Sequence, residues 1–257
     1  MSNKPSVLVT GGGKGLGLAV IQRLLEGTAK SPAANVSTLT FDVSDDFKKL
    51  QTKYNGSLFY KQGDVTKYED SKKIVDETLD RWKRLDAIVI NAGLTELKPL
   101  KELEFDTIMK TLGVNTAASV NTIRAALPSL RENNGRVVFV SSSSSYLCHA
   151  TWASYSSSKA ALNAIAKTLA NEEERVSAFA VGPGHVDTSM QGQIRNTDQN
   201  MEKLYQEGKL LPPEKPAAVL ASLAVRGSRS APKKDGEALA NGDFVAWDDP
   251  SLSDYHE

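Results

Sequence analysis

Short runs of β-branched and apolar residues alternate along the chain with longer segments whose apolar positions recur every three to four residues. Val7-Leu8-Val9-Thr10 opens the series as a strand, and the spacing over residues 16–25 predicts a helix after a glycine-rich turn. Further strands are predicted at 36–41, 58–62, 87–90, 136–140, 176–181 and 243–247. Helices are predicted at 68–82, 105–130, 154–170 and 216–225. Ala87-Ile88-Val89-Ile90 is apolar without a break, as in a strand covered on both faces. Strand and helix alternating in this way imply a doubly wound α/β domain, a parallel sheet with helices on both faces. No repeat and no break in composition divides residues 1–257, so a single domain is expected.

Composition and charge act mainly by exclusion. The 257 residues carry 31 acidic and 31 basic groups, and this balance argues against a nucleic-acid binder. Cys148 is the only cysteine, so no intrachain disulfide can form, which suits a reducing compartment. The longest strongly apolar stretch, 217–225, is too short to span a bilayer, and residues 1–9 lack the apolar core of a secretory signal. The expectation is a cytoplasmic protein that meets neither membrane nor nucleic acid.

Chemistry enters at the first turn. Gly11, Gly15 and Gly17 stand in Thr10-Gly-Gly-Gly-Lys14-Gly-Leu16-Gly17, between the first strand and the first helix. A pyrophosphate held at a helix N-terminus needs such a turn, because it must approach backbone N–H groups without side chains in the way. A plain strand-to-helix turn is the alternative.

A second constellation lies at Tyr155-Ser-Ser-Ser-Lys159, which puts a phenol and an ammonium on one helix face. A neighbouring cation favours the phenolate, so the Tyr155 pKa is expected to fall towards neutrality and fit it for proton transfer. Ser142 precedes Tyr155 by 13 residues, at the end of the 136–140 strand, where α/β sheets place ligands. A hydroxyl there can hold a reacting carbonyl. The serine run at 141–145 leaves Ser141 and Ser143 as alternatives, and the spacing favours Ser142.

Taken with Asp64-Val65, Asn91-Ala92-Gly93, Asn115, and Pro183-Gly184 followed by Thr188, these pieces make the chain resemble the short-chain dehydrogenase/reductase family over nearly its whole length. The resemblance implies a Rossmann-like domain with a seven-stranded parallel sheet and an NAD(P)(H)-dependent oxidoreductase. Tyr155 would be the general acid/base, Ser142 would hold the carbonyl oxygen, and Lys159 would bind the nicotinamide ribose and lower the Tyr155 pKa. Asn115 would interrupt its helix and hold a water in a proton relay. Asp64 and Val65 would flank the adenine, and Asn91, Ala92 and Gly93 would line the cofactor floor. Val186 and Thr188 would fix the carboxamide. The family also implies a homodimer or homotetramer through the helices at 105–130 and 154–170. The stretches 152–163, 183–191 and 216–221 are similar to fungal reductases related to sepiapterin reductase and benzil reductase, which reduce carbonyls, often vicinal diketones, with NADPH.

The residue ending the second strand chooses between the two dinucleotides, since a carboxylate accepts from a ribose 2′-hydroxyl and a basic group pairs with a 2′-phosphate. Asp42 occupies that place where NADPH-dependent relatives carry arginine, which favours NAD(H). Lys14 can offset it, the subfamily resemblance favours NADP(H), and Asp42 can instead serve as a cap for the next helix, a role open also to Ser44 and Asp45. Both cofactors stay open.

The polar stretch at 189–213 corresponds to the family's lid over the substrate. Met190, Ile194, Met201, Leu204 and Tyr205 would either close an apolar pocket or pack as a surface helix. Leu94, Leu147, His149 and Trp152 are pocket-wall candidates, with core packing the alternative for Trp152. His149, His185 and Cys148 are not at metal-ligand spacing, so no metal is expected. Two other functions are weighed. A non-catalytic dinucleotide-binding redox sensor would have lost part of the Asn115–Ser142–Tyr155–Lys159 set. A 3-oxoacyl-carrier-protein reductase would need a basic mouth, and the stretch 189–205 offers only Arg195 and Lys203 amid acids.

Overall fold

In a computed structural model, described for residues 4–229 and 241–256, seven parallel strands form one sheet in the order β3-β2-β1-β4-β5-β6-β7. The strands are β1 (Ser6–Thr10), β2 (Asn35–Thr40), β3 (Leu58–Gln62), β4 (Ala87–Ile90), β5 (Arg136–Val140), β6 (Ser177–Gly182) and β7 (Phe244–Ala246). Their side chains alternate between two apolar layers. Val7, Val9, Val89, Val138 and Val181 face one layer; Leu8, Ile88, Val137 and Phe139 face the other. Both faces are covered, which is why the central strands read as unbroken apolar runs.

The first layer is completed by α1 (Gly15–Glu26), α2 (Asp45–Lys53) and α10 (Glu214–Arg226) through residues such as Ile21, Phe47 and Leu220. The second is completed by α3 (Tyr68–Trp82), α5 (Ala118–Glu132) and α7 (Ala153–Glu172) through Ile74, Leu130 and Leu162. This is the expected doubly wound Rossmann-like domain. The chain runs from β1 outward to β3 and then returns to β4 on the other side of β1. A crevice therefore opens above the C-terminal ends of β1 and β4, where ligands bind in such sheets.

One departure bears on function. The helix expected over 105–130 is broken into α4 (Phe105–Leu112) and α5 by a π turn at Gly113–Ala117. The short α6 (Ser144–Leu147) and the pair α8 (Ser189–Arg195) and α9 (Gln199–Gln206) complete the helices used below. No helix among the described residues is long and apolar enough to cross a membrane.

Candidate active site

A cleft of about 700 Å³ lies over the C-terminal ends of the strands. Its floor begins at the glycine turn. Gly11 takes φ +67°, and a Cβ there would stand 2.9 Å from the Ala92 Cα. Inside α1, a Cβ on Gly17 would stand 2.4 Å from the Gly11 carbonyl oxygen. The first N–H groups of α1 have no partner within the helix. They open on the cleft beside Lys14, Gly15 and Leu16, which line it. The Asn91 amide Nδ2 donates to the carbonyls of Thr10 and Gly11, and the Asn91 and Ala92 N–H groups donate to Thr10 Oγ1. These bonds fix Asn91, Ala92 and Gly93 against the end of β1. A smooth backbone wall with free N–H groups fits a dinucleotide pyrophosphate.

Asp42 lines the same groove beyond β2, and its Oδ2 lies 2.8 Å from Lys14 Nζ. Asp42 is not the cap of α2. That role belongs to Ser44, whose Oγ accepts from the Phe47 N–H at 3.2 Å. Ser44 also donates to the Gly13 carbonyl through its N–H and its hydroxyl, clasping the β2–α2 loop onto the glycine turn. Gly13 was not singled out from the sequence. A Cβ there would lie 1.9 Å from the Asp42 carbonyl oxygen, so the third consecutive glycine sets where Asp42 stands. Asp64 and Val65 line the far wall. Hydrogen bonds from the Thr66 hydroxyl and N–H hold the Asp64 carboxyl below its usual range.

The serine run divides by face. Ser141 Oγ donates to Asn163 Oδ1 at 2.6 Å, and the Asn163 amide donates to Ser145 Oγ at 3.1 Å. Ser141 is thereby spent on α7, whereas Ser142 lines the cleft with Tyr155. Lys159 is buried one helical turn beyond Tyr155, with Nζ donating to the Val140 carbonyl at 2.7 Å and standing 5.6 Å from the phenol ring centroid. The expected fall in the Tyr155 pKa is corrected. Burial of the phenol pushes it up to about 12, opposed by the hydrogen bond from Ser142. Burial also brings the Lys159 ammonium down to about 8. Burial therefore acts on both groups against their charged forms, favouring a protonated phenol.

Asn115 sits in the π turn, almost wholly buried and one layer behind the cleft. Its amide accepts from the Leu94 N–H at 2.8 Å and donates to the Leu94 carbonyl and Ser158 Oγ, each at 2.9 Å. It thus ties the loop after β4 to α7.

On the substrate side, Leu94, His149, Trp152 and Met190 line the cleft, and so do Pro183, Gly184, Val186 and Thr188 at its floor. Two expected wall residues are not brought there. Leu147 is half exposed on α6, and the Tyr205 ring is covered by the Arg195 guanidinium at 3.6 Å. Trp152 combines both expected roles. It packs with Ile194 and Met201, meets Tyr155 edge to face at 5.7 Å, and donates its indole N–H to Asp198 Oδ2 at 2.9 Å. The other Asp198 oxygen caps α9 by accepting from the Asn200 and Met201 N–H groups. The ends of the lid are stitched together, since Leu211 donates to His185 and Asp187 donates to Leu211. His185, Gln191, Lys110 and Ser144 line the cleft as well and were not identified as pocket residues from the sequence. Thr188 three places before Gln191 is a capping-box spacing that marks α8 and was open to reading. No cluster of metal-binding side chains occurs among the described residues.

The sequence profile of the short chain dehydrogenase family matches residues 5–199. An uncharacterized oxidoreductase of Saccharomyces cerevisiae is 35% identical over 97% of this chain and 98% of its own. Its crystal structure superposes with a TM-score of 0.89, covering 98% of this chain and 100% of that one. A benzil reductase of the same yeast, described as forming (S)-benzoin, is 32% identical over 96% of this chain and 97% of its own.

Proposed function

The chain belongs to the short-chain dehydrogenase family, an NAD(P)-dependent oxidoreductase acting on alcohol and carbonyl groups, and on that premise we propose that it reduces the carbonyl of a small apolar or aromatic ketone, vicinal diketones foremost, with NADH. The observation that carries this reading is the meeting of Ser142, Tyr155 and Lys159 at one cleft, with Lys159 Nζ 5.6 Å from the phenol ring centroid. A phenol held protonated is a proton donor, which is what reduction of a carbonyl asks of it.

The bound dinucleotide would supply the hydride to the carbonyl carbon. Gly15, Leu16 and Gly17 at the start of α1 would hold its pyrophosphate, with Gly11 leaving room for it. Asp42 would accept from the adenosine ribose hydroxyls through the oxygen that Lys14 does not hold, since Ser44 and not Asp42 caps α2. Asp64 and Val65 would border the adenine, and Asn91, Ala92 and Gly93 the floor. Pro183, Gly184, Val186 and Thr188 would bound the nicotinamide end. Ser142 would donate to the carbonyl oxygen while Tyr155 passes its proton to it. Lys159 would contact the ribose, and its charge would ease the phenolate that forms. Leu94, His149, Trp152 and Met190 would enclose the substrate's flanks, and that largely apolar enclosure supports a flat, apolar substrate.

Ser142, Tyr155 and Lys159 meet at one cleft, with Asn115 behind it, which supports turnover over sensing. The cations of residues 189–213 are already paired, Arg195 with Asp187 and both Lys203 and Lys209 with Glu207, so nothing favours docking of an acidic carrier. The test is the initial rate of NADH and NADPH oxidation with benzil. NADH is expected to be oxidised faster, and Tyr155→Phe is expected to lose about 10²-fold or more in rate while dinucleotide still binds. A Tyr155→Phe variant that keeps most of its rate removes the proton-donor assignment. No oxidation of either cofactor with benzil or related aromatic diketones removes the substrate class.

A further inference from the structure

Ser144 is 2% exposed and opens α6 on the rim of the cleft. Its hydroxyl donates to Ser142 Oγ at 2.9 Å, and its backbone N–H donates to the same oxygen at 3.2 Å. A hydroxyl oxygen has two lone pairs and one proton. Both lone pairs of Ser142 are thus occupied by Ser144, and what Ser142 has left to offer is its own proton. Tyr155 lines the same cleft.

We propose that Ser144 is a positioning residue that sets the polarity of Ser142, compelling its hydroxyl to donate into the cleft beside Tyr155. The inference rests on the reading of the site as a carbonyl reductase. Two arrangements of Ser142 and Tyr155 are possible in principle. Tyr155 can donate to Ser142, in which case its proton is turned away from the substrate. Alternatively, Ser142 donates towards Tyr155 or the substrate oxygen, leaving the phenol proton free to be transferred. With its acceptor sites filled, Ser142 adopts the second arrangement. Donation into Ser142 also makes it a stronger donor in turn, because linked hydrogen bonds polarise one another. The residues either side of the pair show that this is a division of labour: Ser141 and Ser145 are bound to Asn163 and face α7, while Ser142 and Ser144 are bound to each other.

The experiment compares wild type, Ser144→Ala, Ser144→Thr and Tyr155→Phe in benzil reduction, and in oxidation of benzoin as a function of pH. Ser144→Ala is expected to lower kcat about tenfold, the scale of one hydrogen bond, with the benzil KM changed less than twofold. In benzoin oxidation, the pH at half-maximal rate is expected to move up, because a weaker donor at Ser142 stabilises the Tyr155 phenolate less. Ser144→Thr, which keeps the hydroxyl, is expected to restore both. If Ser144→Ala unfolds, Ser144→Cys keeps the volume with a weak donor and is expected to show the same losses. A variant with kcat and pH profile unchanged overturns the inference. So does one in which KM alone rises, since that would make Ser144 a substrate contact. Tyr155→Phe separates the two levels. If it is inactive while Ser144→Ala is unaffected, only the inference fails. If wild type reduces no aromatic diketone, the reading beneath it fails and takes the inference with it.

Discussion

Asp42 and Lys14 stand 2.8 Å apart at the open end of β2, both about half exposed. Exposed pairs contribute little to stability, so their significance lies in what they present to the cleft. Replacing Asp42 by arginine removes the acceptor for ribose hydroxyls and leaves two cations facing the same point. Asp42→Arg is expected to shift the ratio of kcat/KM for NADPH over NADH upward by tenfold or more, the scale of one charge-assisted hydrogen bond. Steady-state rates with both cofactors check this, and an unmoved ratio would remove Asp42 from the discrimination. At this scale the sequence was informative about identity and poor about environment. The 13-residue spacing selected Ser142, and the Ser141–Asn163 bond explains why its neighbour is not available. The direction of the Tyr155 shift was not legible, because burial depends on the lid and the loops around it rather than on the Lys159 spacing.

At the scale of elements, the α8–α9 segment is joined to the start of α7 through one carboxylate. Asp198 starts α9 with one oxygen and holds the Trp152 indole with the other, and Trp152 in turn packs edge to face on Tyr155. Trp152→Phe keeps an aromatic ring and removes that bond, worth about 1 kcal/mol. Faster hydrogen exchange is expected across residues 189–206, with KM raised several-fold and kcat changed less. Exchange kinetics followed by mass spectrometry measure the first effect, and unchanged protection would show that the apolar cluster alone holds the lid. Elements with a strong period were legible, among them α3 and the central strands. The π turn was not legible as a break in spacing, because it displaces the apolar period by one residue only. The resemblance supplied that interruption at Asn115.

The whole molecule is polarised along its strands. The chemistry gathers at the C-terminal ends, while the opposite end is braced by ion pairs. Arg84 grips Asp86 with two bonds of 2.8 and 2.6 Å, and Asp86 also accepts from the Ser6 N–H. Arg131 on α5 grips Glu173 at the end of α7 with bonds of 2.9 and 2.6 Å. The Arg131 guanidinium holds the buried Glu173 carboxyl below the usual glutamate range. A depressed folded value stabilises the fold at pH above the ordinary glutamate pKa, and this contribution is lost as pH falls through the folded value. Glu173→Gln is therefore expected to lower the melting temperature at pH 7 by about 2–4 °C, with the difference from wild type shrinking as the pH is lowered below that range. Its kcat is expected to match wild type, and thermal unfolding at several pH values beside one rate assay checks both halves. The alternation of strand and helix was enough to predict a doubly wound sheet. The strand order depends on which distant segments pair, and the local pattern does not encode that.

The π turn at Gly113–Ala117 also bears on how this chain can change in length. A π turn is an α-helix that has taken in one residue, with the helices on either side left in phase. A residue lost elsewhere in α4 or α5 would rotate the rest of the helix by about 100° and turn its apolar stripe away from the sheet. A residue lost within the turn would return it to ordinary α geometry and keep both stripes in place. The damage would fall on Asn115 and its bonds to Leu94 and Ser158. The helices can therefore spare this one residue, and what depends on keeping it is the tie between the loop after β4 and α7.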